Sequence, residues 1–127
     1  MRSFFPWAMI VSICLLGCSE NYRDSRTLCI DWYNRGLNNM NNPEREFKNA
    51  IKCDATFSPS YYWLGYHFCR VKRIRESLEY FEKYLQVVDK NDPQEKSRIK
   101  TAGYFVKEMQ SGNTDYNSIM EKSMSME

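Results

Sequence analysis

Five cysteines and a single histidine are the side chains of this 127-residue chain best suited to nucleophilic, redox or metal chemistry. His67 and Cys69 stand two residues apart, and on a helix such residues do not face each other, so they make no Cys–His dyad. No C-x-x-C or H-x-x-x-H spacing is present, so no metal site is assigned and no cofactor is expected. Glu76, Glu79 and Glu82 recur along one side of a helix, the pattern of a solvated charged face rather than of paired catalytic carboxylates. Arg70, Lys72, Arg73 and Arg75 crowd one turn, where they either keep a loop soluble or attract anions. With no catalytic residue to name and no Gly-rich phosphate loop, the chain is not expected to be an enzyme.

Composition agrees with that reading. Hydrophobic residues make up 43% and aromatics 15%, enough for one packed domain and too much for a disordered chain. The net charge of +2 is too small to announce a nucleic-acid partner.

The first residues set the expected location. Arg2 precedes an apolar run from Phe4 to Leu16, which is too short to span a bilayer and the right length for a secretory signal. The run ends in Leu15-Leu16-Gly17-Cys18. That motif resembles the lipobox of bacterial lipoproteins. The resemblance implies that residues 1–17 are a signal peptide, that cleavage precedes Cys18, and that Cys18 carries palmitate-type acyl chains on its sulfur and amino group. Ser19 stands where an Asp would retain such a protein in the inner membrane, so the implied site is the outer membrane, facing the periplasm. An ordinary cleaved signal or a buried core helix are the plainer alternatives. Residues 18–23 then read as a lipidated tether and residues 111–127 as a flexible tail with a weak helix near Ile119–Lys122.

Residues 24–110 carry helical periodicity throughout. Turn signals with Pro at Asn42-Pro43, Ser58-Pro59 and Asp92-Pro93 predict helices over about 24–37, 43–55, 59–71, 75–90 and 93–110, with Asn42, Ser58 and Asp92 as caps. Short links make successive helices antiparallel neighbours. A shift of 34 residues lays Ile30 on Leu64, Trp32 on Tyr66, Phe47 on Phe81 and Ile51 on Leu85. Tyr61, Leu64, Gly65 and Phe68, followed by Ser77, Phe81 and Tyr84, resemble one tetratricopeptide repeat. The loop departs from the pattern, with Lys72 where a Gly is usual. The first copy is degenerate, since Asp31 takes the place of Gly65. The expected fold is therefore all-α, a short tetratricopeptide-like solenoid of antiparallel helix-turn-helix units, about two repeats plus a capping helix. A generic helical bundle is the alternative.

In such repeats the first helix of each pair lines a groove. The resemblance maps partner-binding positions onto Trp32, Arg35, Tyr62, Tyr66, Arg70 and Tyr104, with Leu28, Lys96 and Lys100 beside them. Aromatics interleaved with cations suit a peptide or helix of a partner protein. The expected function is a lipid-anchored periplasmic adaptor in assembly of a pilus, secretion system or outer-membrane complex. The alternatives are a cell-wall enzyme or its accessory, and an exclusion- or immunity-type lipoprotein. Cys29 near the start of one helix and Cys53 near the end of the next fall at one height if those helices are antiparallel. A disulfide is then possible, with Cys69 left over; three buried thiols are the other reading.

Overall fold

The computed structural model describes residues 25–125, so the signal 1–17, Cys18 and the tether 18–23 lie outside the described residues. The described chain is all-helical. Its elements are α1 (Ser25–Asn38), α2 (Glu44–Cys53), α3 (Ser58–Arg70), α4 (Ile74–Val87), α5 (Lys96–Gln110) and α6 (Tyr116–Met124). Each helix packs on the next in sequence, as in a small helical-repeat solenoid. None of the described helices is long and apolar enough to cross a membrane.

The helix starts sit one to three residues from those expected. Pro43 and Phe57 occupy the cap positions of α2 and α3, leaving Pro59 in the first turn of α3, where its missing N–H costs nothing. Asp92-Pro93 does not open α5. Asp92 instead holds a turn, its Oδ1 accepting from the Gln94 N–H at 2.9 Å, and α5 begins beyond Glu95. Two helices end in the same way. At the end of α3 the Arg73 N–H donates to the Phe68 carbonyl at 2.8 Å, and at the end of α5 the Asn113 N–H donates to the Glu108 carbonyl at 2.9 Å. Both are six-to-one closures that need a left-handed residue one position earlier. Gly112 supplies it after α5 with φ 95°, and Lys72 supplies it after α3 with φ 65°.

The pairs within the solenoid close at glycines. A Cβ on Gly65 would lie 2.8 Å from the Phe81 ring, and the buried Ser77 hydroxyl donates to the Gly65 carbonyl at 2.6 Å. In the first pair the same approach is made by Gly36, whose Cβ would lie 2.5 Å from the Phe47 ring. Asp31 therefore does not take the role of Gly65. The register of 34 holds for the second helices, Phe47 and Phe81, but slips in the first, because the Asn-rich link 39–43 is longer than the link 71–73 and the close contact moves toward the turn, onto Gly36. The core forms around these contacts, with Phe47, Leu64 and Phe68 in one cluster and Phe81, Tyr84, Phe105 and Ile119 in another.

The segment 111–127, expected to be a loose tail with a weak helix near Ile119–Lys122, does carry a helix there, α6, but a longer and packed one. Asp115 caps that helix, and Ile119 is fully buried in the second core cluster beside the half-buried Tyr116 and Met120. The helix has nine residues, and its apolar positions 116, 119 and 120 make too short a stripe to show periodicity.

Cys29 at the start of α1 is bonded to Cys53 at the end of α2, with Cα atoms 5.3 Å apart. The bridge ties the solenoid's terminal pair, whose outer helix still exposes Leu28, Ile30 and Leu37. Replacing both cysteines by Ser should cost about 3 kcal/mol through the freed loop entropy of the unfolded chain. Denaturant melts of wild type and the double variant measure it; equal midpoints would show that the bridge adds nothing to stability.

Candidate functional site

Helix α3 presents Pro59, Trp63, Tyr66 and Arg70 at intervals of four, three and four residues, which is one continuous row. Trp63 is its centre. The Trp63 indole Nε1–H donates to the Tyr33 hydroxyl of α1 at 3.1 Å, and the Arg98 guanidinium of α5 lies 6.0 Å from the Trp63 ring. Tyr66 stacks edge-on against Trp63 at 5.7 Å and against Tyr116 of α6 at 5.3 Å, with the Tyr116 hydroxyl donating to the Tyr66 hydroxyl. First helices α1, α3 and α5 thus share one face through half-buried aromatics, and α6 closes over one end of it.

Arg98 is held in place from beneath. Glu95 is only 7% exposed, and its carboxylate accepts from Arg98 Nη1 at 2.8 Å and from the Tyr84 hydroxyl at 2.6 Å. A buried carboxylate requires such partners. Burial and this neighbouring charge both push the Tyr84 phenol far above its usual range, so it remains a donor.

The residues singled out for partner binding separate into three groups. Trp32 and Arg35 form an outward pair on α1, the half-buried ring carrying the exposed guanidinium at 4.9 Å. Arg70 is exposed and donates to the Met40 carbonyl; Tyr104 is half-buried on α5. Tyr66 is half-buried and partly covered by Tyr116, so it both packs and faces outward. Tyr62 is corrected: it is 8% exposed, with Phe81 at 5.8 Å and Tyr84 at 5.3 Å, and belongs to the core. One residue further along α3, at Trp63, lies the half-buried aromatic that the mapping onto Tyr62 missed. The four-three-four spacing from Pro59 to Arg70 was the signal that could have found it.

The remaining reactive groups are quiet. Cys69 is fully buried, and burial pushes its thiol up to about 11, so no thiolate forms near neutrality. Arg73 is occupied by Glu44 at 2.9 Å and by Glu76. The described residues contain no group of three or more His, Cys, Asp or Glu placed to hold a metal. His67 is 4% exposed, and its Nδ1 has no hydrogen-bond partner among the described residues. Burial first, then the Arg70 guanidinium, hold its pKa below 6.5 against the opposing pull of Glu44.

Two outcomes follow from these placements. Tyr62→Ala should cost about 3–5 kcal/mol of stability, whereas Trp32→Ala should cost about 1 kcal/mol or less; chemical denaturation of both variants decides whether the two rings differ in role. For His67, the unfolded chain takes up the proton more readily than the folded one. Its contribution is complete above pH 6.5 and is lost as pH falls below that value. His67→Gln should therefore flatten the decline in stability on acidification, read from denaturation midpoints at a series of pH values; an unchanged slope would remove His67 from the account. No protein-family model, no curated protein and no solved structure matches this chain, so what the site does must follow from these residues.

Proposed function

We propose that the chain is a lipid-anchored adaptor of the bacterial envelope. Cys18 would hold it in the outer membrane facing the periplasm, and the first-helix face would bind a protein partner during assembly of an envelope machine. The observation that carries this reading is the Cys29–Cys53 disulfide in the folded chain. Disulfides persist in oxidising compartments, the periplasm among them. That is where a chain beginning with an apolar run and Leu15-Leu16-Gly17-Cys18 would be sent.

The binding face has the composition that partner recognition uses. Trp32, Trp63 and Tyr66 offer rigid aromatic area at low entropic cost, and Arg35, Arg70 and Arg98 stand beside them. Each half-buried Trp carries one guanidinium, Arg35 at Trp32 and Arg98 at Trp63, and gains from being covered. The reactive groups, by contrast, are buried or already paired. This favours recognition over catalysis at the face.

Cys18→Ala should abolish incorporation of a palmitate analogue in living cells and leave the precursor uncleaved. Labelling that persists in this variant, or its absence from wild type, would overturn the anchor. With the anchor intact, Trp32→Ala should lose a stoichiometric envelope partner in cross-linked pull-downs, weakened by about 2 kcal/mol or more. Retention of that partner at wild-type level would move binding off this face.

A further inference from the structure

The turn between α3 and α4 faces the loop between α5 and α6 across an open cleft of about 630 Å3. That volume suits a small ligand or a few residues of a peptide. Arg70, Lys72 and Ile74 form one wall, and the stretch from Thr114 to Asn117 forms the other. The sequence placed four cations at this turn, and the structure sorts them. Arg73 is spent on Glu44 and Glu76. Arg70 donates only to a backbone carbonyl, and neither it nor Lys72 enters an ion pair among the described residues.

A single carboxylate, Asp115, shares the cleft. It is turned to its own helix, its Oδ1 accepting from the Asn117 N–H at 3.3 Å. Two cations against one carboxylate leave the lining with a single excess positive charge. A phosphate group carries about −1.5 to −2 and would be under-compensated here, with stronger repulsion from Asp115 than a singly charged carboxylate meets. A carboxylate matches. The Thr114 hydroxyl and the Asn117 amide add neutral hydrogen-bonding groups, and Ile74 adds an apolar patch for the carbon skeleton.

Lys72 is also unusual in its backbone. It occupies the left-handed position that Gly112 fills at the equivalent helix end, a conformation that residues with a side chain rarely adopt. Its side chain lines the cleft. We propose that this cleft is a binding site for a singly charged carboxylate, with Arg70 and Lys72 as its counter-ions. The cleft shares Arg70 with the first-helix row, but Lys72 and residues 114–117 lie off that row, so a test at Lys72 leaves the partner reading of the first-helix face untouched.

Amide chemical-shift titration of the full chain in detergent micelles tests the proposal with four probes. These are propionate, a blocked Ala-Glu-Ala tripeptide, the blocked Ala-Gln-Ala control and inorganic phosphate. Propionate or the Glu tripeptide should shift the amides of Lys72 and of residues 112–117, and which of the two binds more tightly tells a small acid from a peptide side chain. Lys72→Gly removes the charge in the backbone conformation that glycine prefers, so the fold should survive while the affinity falls about tenfold. Equal shifts from the Gln tripeptide, tighter binding of phosphate, no response to either acid, or unchanged affinity in Lys72→Gly would each overturn it.

Discussion

The whole arrangement depends on two helices being allowed to touch. At Gly65 the absent side chain lets the Phe81 ring lie directly against the α3 backbone, and at Gly36 the Phe47 ring does the same against α1. A methyl group at either place would stand well inside van der Waals contact with an aromatic ring that is itself fully buried. In a close-packed interior neither ring has room to retreat, so the pair would have to separate. The Ser77 hydroxyl bonded to the Gly65 carbonyl draws on the same proximity. Once the pairs are closed, α3 buries eight of its residues against its neighbours, and its row of Pro59, Trp63, Tyr66 and Arg70 stays at least partly in water.

That division decides which aromatics are core and which are surface. On α3 the residues facing α4, Tyr61, Leu64, Gly65 and Phe68, are buried, while Trp63 and Tyr66 keep part of their rings in water. Tyr62 lies one step around the helix from Trp63, and this step carries it against Phe81 and Tyr84. Arg98 bridges the two environments. Its guanidinium lies over Tyr62 and Trp63 while its charge is balanced by Glu95 below. A cation in that setting is pre-ordered, so a ligand at the face would not have to immobilise it.

Much of the fold was legible because the signals were strong and local. The apolar spacing of α3 and α4, the prolines that open helices, and the placement of Cys29 and Cys53 at one end of an antiparallel pair all act within one or two turns. What was misplaced needed tertiary information. The 34-residue shift sets Asp31, not Gly36, opposite Gly65, and only the longer link before α2, residues 39–43, moves the close contact toward the turn, onto Gly36 and Phe47. Residues 111–127 read as a tail because α6 is short and depends on Tyr66 and Phe105, far away in sequence, to cover its apolar side. Tyr62 and Trp63 were exchanged for a similar reason. Their neighbours on α4 and α5 decide which ring is covered, and a pattern taken from a single helix does not contain those neighbours.

Helix α6 changes what the first-helix face can do. Without it, the row on α3 would run open from Pro59 to Arg70. With it, Tyr116 covers Tyr66 and divides the row into two regions of different chemistry. On one side is Trp63, with the Tyr33 hydroxyl and the Arg98 guanidinium beside it. On the other are Arg70 and Lys72, facing the polar start of α6 across open space. The divider is held by two rings and a hydroxyl pair on one side and by the buried Ile119 on the other. Among the described helices, α6 also has the sparsest contacts with its neighbour. Local opening free energy follows such contact density, so α6 is the element whose displacement costs least. Lifting it would join the two regions into one continuous row, and any partner that spans Trp63 to Arg70 must either displace α6 or pass over it.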